Sequence, residues 1–380
     1  MLYLIGVIIT FFLAFILGSK NNKTIPDRIL FVWLLFLGIH LYLFYLLFTN
    51  QIYQYPNLLG ISIPLPLMHG PFLFLYTASL TNQIKNFKIQ FLHFLPCILS
   101  YLFLIKFFNL NSEEKVQIYQ HDGQGYETFM SIHIGIVILS GIVYFVGSLI
   151  LLRKHKLNIL NEFSYTENIN LFWLQYLIYG IGVIWIIVIL GEDKVIFLFV
   201  TLFVIALGYF GIKQNGIFTK LGIVNEEILE LGESIKTTTL TQELKEVDSI
   251  DQNIKPIKYE KSGLSEEMAL EIHNSLTVQM DELKLYTNPD ITLVELSQVL
   301  KVPSNYLSQV INTYENKNFY DYINTKRINL FLDLIKKDES KKYTILSIAF
   351  DCGFNSKSSF NKYFKKTTDL TPSEYIKSLQ

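Results

Sequence analysis

Cysteine is almost missing from this 380-residue chain, and the two that occur, Cys97 and Cys352, stand alone in opposite halves. Isolated thiols exclude a disulfide framework and a CxxC metal site, so both are expected to be buried. HExxH, GxSxG and paired aspartates are missing as well, as are glycine-rich phosphate loops and kinase signatures. Those absences leave no chemistry for a zinc hydrolase, a serine hydrolase, an intramembrane aspartyl enzyme or an ATP-driven phosphorelay. No catalytic residue, metal or cofactor is therefore assigned, and a non-enzyme is expected. An excess of one charge is missing too, because the formal net charge is −1. The first apolar run, Leu2–Leu17, lacks a basic start and a small-residue cleavage site, so a retained helix is expected rather than a signal peptide.

What the chain does have is apolar residues, and they are unevenly spread. Residues 1–220 carry 13 Lys/Arg and 9 Asp/Glu; the remaining 160 carry 19 and 24. This contrast divides the chain into a membrane part and a water-exposed part. A span needs about 20 mostly apolar residues to cross roughly 30 Å of hydrocarbon. Seven segments come close: Leu2–Leu17, Ile29–Phe48, Ile63–Leu80, Phe91–Phe108, Phe129–Leu152, Leu171–Leu190 and Val195–Ile212. The third contains Pro64, Pro66 and Pro71. Proline breaks the backbone ladder, so whether this segment crosses fully is open.

Loops one, three and five hold eight Lys and Arg, against Lys115 and Lys194 in the alternate loops. The positive-inside rule then puts the N-terminus outside and the C-terminal tail in the cytoplasm. Residues 1–213 are thus expected to be a multi-pass, seven-helix transmembrane bundle in the cell membrane. The long outer stretch Asn109–Thr128 reads as a solvated connector, with a lid over a ligand as the alternative. His40, His69, His93 and His133 fall in or near spans without metal-ligand spacing. Tyr53, Tyr55, Trp173 and Tyr209 are expected as interfacial anchors. Residues 214–262 read as an acidic cytoplasmic linker. Its Asn225–Ile235 stretch has the pattern of a short amphipathic helix, and the rest that of a flexible connector.

Residues 263–380 carry two copies of a helix-turn-helix pattern about 52 residues apart. Ser265–Tyr286 has a helical stripe of Met268, Ile272, Leu276, Met280 and Leu283. Thr292 and Glu295 then form a capping box. Lys301-Val302-Pro303 makes a turn, and Ser304 is expected to cap the next helix. That helix offers Ser304, Asn305, Tyr306, Ser308, Gln309 and Asn312 among the apolar Leu307, Val310 and Ile311. Amides and hydroxyls facing outward from an apolar seat are the layout of a recognition helix. A helix over Phe319–Lys336 leads to the second copy. Thr344 opens a helix through Asp351, and Gly353-Phe354 makes the turn. Asn355, Ser356, Lys357, Ser358, Asn361, Lys362, Lys365 and Lys366 form the second polar face. Thr371-Pro372-Ser373-Glu374 is a further capping box with proline at the first helical position. Lys326 and Arg327 on the connecting helix are candidates for phosphate contact.

The segment IAFDCGFNSKSSFNKYFKKTTDLTPSEYI resembles the signature of the AraC/XylS family, and the resemblance extends over about Glu267–Leu379. Gly353, Phe354, Phe360 and Phe364 match its pattern, while Lys301 stands where a small residue or histidine is more usual. The resemblance implies seven helices, both recognition helices entering neighbouring major-groove segments, and transcriptional regulation. Soluble members carry a cupin-like sensor; membrane segments take its place here, so sugar binding is not implied.

Charge separates the two copies. Residues 264–340 have net charge −5 and residues 341–380 have +4. Phosphate contacts dominate affinity, so the second copy is expected to grip DNA and the first to refine sequence choice. The expected fold class is all-α throughout, a transmembrane bundle followed by an all-helical DNA-binding domain. The expected function is a membrane-bound receptor that passes a membrane or envelope signal through the last span and linker to transcription. The expected partners are double-stranded DNA and a lipid bilayer. RNA polymerase, a second copy of the chain and an unidentified small molecule stand as further candidates. The alternative is a transporter or channel with a regulatory DNA-binding tail, against which stands the lack of paired acids in the spans.

Overall fold

The computed structural model describes residues 2–84, 87–166, 171–213, 264–336 and 344–378. The expected linker, with its Asn225–Ile235 helix, lies outside the described residues. The described chain is all-helical, apart from an isolated antiparallel bridge between Phe163 and Thr292. Contacts divide it into two compact units. One holds residues 1–154 and 171–229; the other holds 155–170 and 230–380.

The first unit contains α1 (Leu2–Gly18), α2 (Ile25–Phe48), α3 (Pro66–Leu80), α4 (Phe87–Gln90), α5 (Leu95–Phe103), α6 (Ile105–Phe108) and α7 (Ser112–Gln120). It also contains most of α8 (Glu127–Glu162), then α9 (Phe172–Leu190) and α10 (Asp193–Lys213). Three of the described helices are long and apolar enough to cross a membrane: α2, α8 and α9. Among the described residues seven spans are therefore not supported. Proline accounts for two of the losses. The third segment becomes helical only at Pro66 and yields 15 residues, with Pro71 inside. The fourth breaks into a 3-10 turn, then α5 with proline in its first turn, then α6. α1 is apolar but has only 17 residues.

Large apolar side chains nevertheless cover much of the outside of this unit. Phe12, Phe15, Leu102, Phe103, Ile132, Leu139 and Ile150 are all more than half exposed. Inside, α1 packs on α2 and α10. The start of α2 is fixed by a reciprocal capping box between Thr24 and Asp27, and Lys20 closes on the same carboxylate at 2.7 Å.

Several polar groups inside the apolar unit pair with one another or with backbone. The Trp33 indole donates to His69 Nδ1 at 3.2 Å, and His69 Nε2 meets His40 Nδ1 at 2.9 Å. Because an indole only donates, His69 must accept through Nδ1 and donate through Nε2. His133 Nε2 donates to the Ile63 carbonyl at 2.8 Å, which leaves Nδ1 to accept from the Ser100 hydroxyl. His93 Nδ1 lies 3.0 Å from the Tyr144 hydroxyl. The stretch 109–128 contains a helix and stays largely exposed. Asn111 and Glu114 form a capping box at the start of α7, and Lys115 is buried with its ammonium on Asn57. The Tyr119 hydroxyl accepts from the Gly60 amide at 2.8 Å, so the stretch is pinned at both places to the turn that precedes α3.

The second unit contains α11 (Glu266–Leu283), α12 (Leu293–Leu300), α13 (Ser304–Tyr314), α14 (Phe319–Lys336), α15 (Ile345–Asp351), α16 (Lys357–Thr368) and α17 (Pro372–Ser378). The last turns of α8 belong to it as well. α11 is capped by Ser265 and ends at Lys284 in the left-handed region, followed by a 3-10 turn over Leu285–Thr287. Its buried stripe is Ala269, Ile272, Leu276 and Met280, while Met268 and Leu283 are exposed.

α14 organises two cores. Its first half gives Phe319, Tyr322 and Ile323 to a cluster with α11, α12 and α13. Its second half gives Ile328, Phe331 and Ile335 to a cluster with α15 and α16. Leu330 touches both. Each such buried side chain contributes about 2 kcal/mol, so α14 stabilises both halves of the domain. Between the two apolar stretches it carries a polar waist, the fully buried Asn324 and Arg327.

Candidate nucleic-acid interface

The first helix-turn-helix unit is α12, its turn and α13. The Thr292 hydroxyl accepts from the Glu295 amide at 3.2 Å, and Glu295 accepts from the Thr292 amide at 2.9 Å. α12 ends at Lys301, whose φ of 55° is left-handed. The Val302 amide returns to the Ser297 carbonyl at 3.0 Å and closes the turn. The cap of α13 differs from expectation: Pro303 holds the cap position, makes no side-chain cap bond, and Ser304 is the first helical residue. Proline's fixed φ supplies the entry geometry that a serine bond was expected to give.

α13 seats Leu307, Val310 and Ile311 in the core and packs on α11, α12 and α14. Asn305 and Asn312 are exposed; Ser304, Tyr306, Ser308 and Gln309 are half-buried. Asn312 spends one amide hydrogen on the Ser308 carbonyl at 2.8 Å. At the end of α13, His273 from α11 stacks on Tyr314 and meets Glu315 at 3.0 Å.

The second unit is α15, its turn and α16. Thr344 caps α15 by accepting from the Ser347 amide at 3.1 Å. Gly353 turns the chain with φ 98°. A Cβ on it would lie 2.5 Å from the Tyr286 carbonyl oxygen and 2.9 Å from Thr287 Cα. Only glycine allows this turn to close against the segment leaving α11. Ser356 caps α16 by accepting from the Ser359 amide at 3.0 Å, and its hydroxyl lies 3.1 Å from that of Ser358.

α16 buries Phe360, Tyr363 and Phe364 and packs on α14 and α17. The Tyr363 hydroxyl donates to the Asp321 carbonyl at 2.8 Å and lies 3.1 Å from that of Thr325. Asn355, Lys357, Ser358, Asn361, Lys362 and Lys365 are exposed. Lys366 is exposed as well, but its ammonium already holds Asp321 at 2.6 Å and lies 5.2 Å from the Tyr363 ring centre. α17 opens with the Thr371–Glu374 capping box, in which Glu374 accepts from the Thr371 amide at 2.8 Å. That bond holds the Glu374 carboxyl below the usual carboxylate range. Burial pushes the Cys352 thiol up to about 12.

The two connecting-helix candidates part company. Lys326 is half-buried and paired with Asp281 at 3.2 Å. Arg327 is corrected: it is 2% exposed and faces inward rather than toward phosphate. Its Nε donates to the Tyr286 carbonyl at 2.7 Å. Nη2 donates to the carbonyls of Asn288 at 2.8 Å and Pro289 at 3.3 Å, and to Ser164 Oγ at 3.2 Å. Nη1 reaches Asn324 Oδ1 at 3.2 Å and the Ser164 carbonyl at 3.3 Å, and the guanidinium carbon stands 5.8 Å from the Phe354 ring centre. Arg327 thus ties α14 to the turn after α11 and touches the turn of the second unit. Sequence reasoning missed this role, and it missed Asn324 and Ser164 altogether.

A family described as a helix-turn-helix domain matches residues 296–378, a range that includes both recognition helices. Two curated relatives are uncharacterized HTH-type transcriptional regulators of Staphylococcus aureus, from strains COL and MSSA476. Each is 35% identical over 96 residues, 25% of this chain. The chain spans 12% of the length of these relatives. No solved structure matches. Over this C-terminal quarter the chain is therefore similar to helix-turn-helix regulators, and it carries a helix-turn-helix domain there.

Proposed function

We propose that this chain is a membrane-bound, sequence-specific regulator of transcription, with a DNA-binding domain of the AraC/XylS type in the cytoplasm. The observation that carries the reading is the pair of helix-turn-helix units on the two halves of α14, both with polar recognition helices. The match of a helix-turn-helix family to both units supports it. Three membrane-length apolar helices and the exposed apolar side chains of the first unit support attachment to a bilayer.

In this reading Asn305, Gln309 and Asn312 from α13 and Asn361 from α16 read base edges. Amides bond the major-groove edge of adenine with two contacts. Lys357, Lys362 and Lys365 hold phosphate, and α16 supplies most of the grip. RNA polymerase and a second copy of the chain are further partners in this reading. The test is selection of duplexes from a random-sequence pool by the full chain in lipid nanodiscs. A recurring motif is the expected result, and selected pools that match the input would overturn the proposal.

A further inference from the structure

We propose that residues Phe163–Tyr165 are an intramolecular clasp on the DNA-binding domain, and that its engagement restrains DNA binding. The segment follows α8 directly and lies within the second unit. Ser164 is 1% exposed. Its carbonyl accepts from Asn324 Nδ2 at 3.1 Å and from Arg327 Nη1 at 3.3 Å. Its hydroxyl accepts from Arg327 Nη2 at 3.2 Å and lies 3.4 Å from the Pro289 carbonyl. One residue earlier, Phe163 forms the antiparallel bridge to Thr292, the cap of α12. The polar waist of α14 and the start of the first helix-turn-helix unit together make a socket that fits this extended serine segment.

Two features make the contact separable. Without Ser164, Arg327 keeps the carbonyls of Tyr286, Asn288 and Pro289 and the Asn324 side chain. Asn324 keeps the Tyr320 carbonyl at 2.9 Å. The socket therefore stays hydrogen-bonded when the clasp leaves, so docked and released forms both avoid stranded buried groups. The clasp also pairs with Thr292, the cap at the entry to α12. The first helix of such a unit crosses the DNA backbone, and a helix N-terminus attracts phosphate. An occupied entry excludes that approach. α8 ends at Glu162, two residues before Ser164, so movement of α8 acts directly on the clasp. This route differs from the one through residues 214–262.

The restraint rests on the DNA-binding reading above; docking does not. The test uses the full chain in lipid nanodiscs with random-sequence duplex DNA as probe. Ser164→Trp overfills the socket, whereas Ser164→Thr keeps both acceptors. The tryptophan variant should speed amide exchange in 163–166 and 288–292 and tighten duplex binding about fivefold or more, the ordinary range of coupling between sites. The threonine variant should match the parent in both. Unchanged exchange in Ser164→Trp overturns docking. Faster exchange with unchanged or weaker binding overturns the restraint. If Ser164→Trp exposes Cys352 to alkylation, Ser164→Gly replaces it, with intermediate changes expected and no change counting against the clasp. Duplex binding absent from the parent and all variants sinks the DNA reading, and the restraint with it, while exchange still decides docking.

Discussion

Replacing Arg327 with methionine separates the two roles that an arginine on α14 can have. Methionine keeps most of the stem's volume and removes every donor. The Tyr286 carbonyl then loses a 2.7 Å charged bond, and Asn288, Pro289 and Ser164 lose longer ones. Asn288 and Ser164 keep other donors, from the Ile291 amide and the Asn324 side chain. The loss is thus dominated by one or two charged bonds, worth about 1.5–3 kcal/mol each, and by a carbonyl left dry. Removing the buried charge itself lowers a desolvation cost. The net expectation is about 4 kcal/mol of destabilisation, or a fall of about 12 °C in the melting temperature of the second unit.

The chain supplies its own reporters for this measurement. Cys97 is buried in the first unit and Cys352 in the second. Brief alkylation during a thermal ramp, followed by mass spectrometry, follows each unit separately. The Cys352 transition should move down and the Cys97 transition should stay. The reasoning is refuted if both midpoints hold while duplex affinity falls and its salt slope drops by about one, the signature of a lost phosphate contact.

Gly353→Ala should destabilise the second unit by about 2 kcal/mol or more, from the positive φ and the 2.5 Å approach to the Tyr286 carbonyl, and Cys352 alkylation would report it. Lys362→Ala should weaken binding to all duplexes and flatten the salt dependence, whereas Asn361→Ala should relax base preference; equal losses on every sequence for both would contradict the division. In the native protein Cys352 should resist iodoacetamide even at alkaline pH, because its thiol is pushed up to about 12. Its folded-state value is raised, so the stability linked to it is complete below its unfolded value and is lost as pH rises toward 12. A denaturant melt stepped through alkaline pH should show that loss, and rapid labelling of the folded chain would refute the burial.

Much of the helix-turn-helix domain was legible because its signals are local. The Thr292/Glu295 and Thr371/Glu374 boxes join residues three apart, so their side chains can find no nearer partner than each other's amides. The helix that opens at Phe319 starts where its periodicity predicts. Gly353 marks its turn because no other residue fits there. The apolar first unit was less legible, since apolar content does not report where proline interrupts a helix. Segments three and four have the composition of spans, yet Pro66 and Pro96 start their helices late.

The sequence by itself determined the all-helical character, the helices α13 and α16 and the capping boxes at Thr292 and Thr371, because propensity, periodicity and capping act within a few residues. Only the tertiary structure decided what Arg327, His69 and Ser164 do. A guanidinium has the same donors whether it meets phosphate or carbonyls. Its choice depends on Tyr286, Asn288 and Ser164, which lie 41, 39 and 163 positions away in the chain. No local pattern encodes that closure; burial at the waist of α14, between two apolar cores, does.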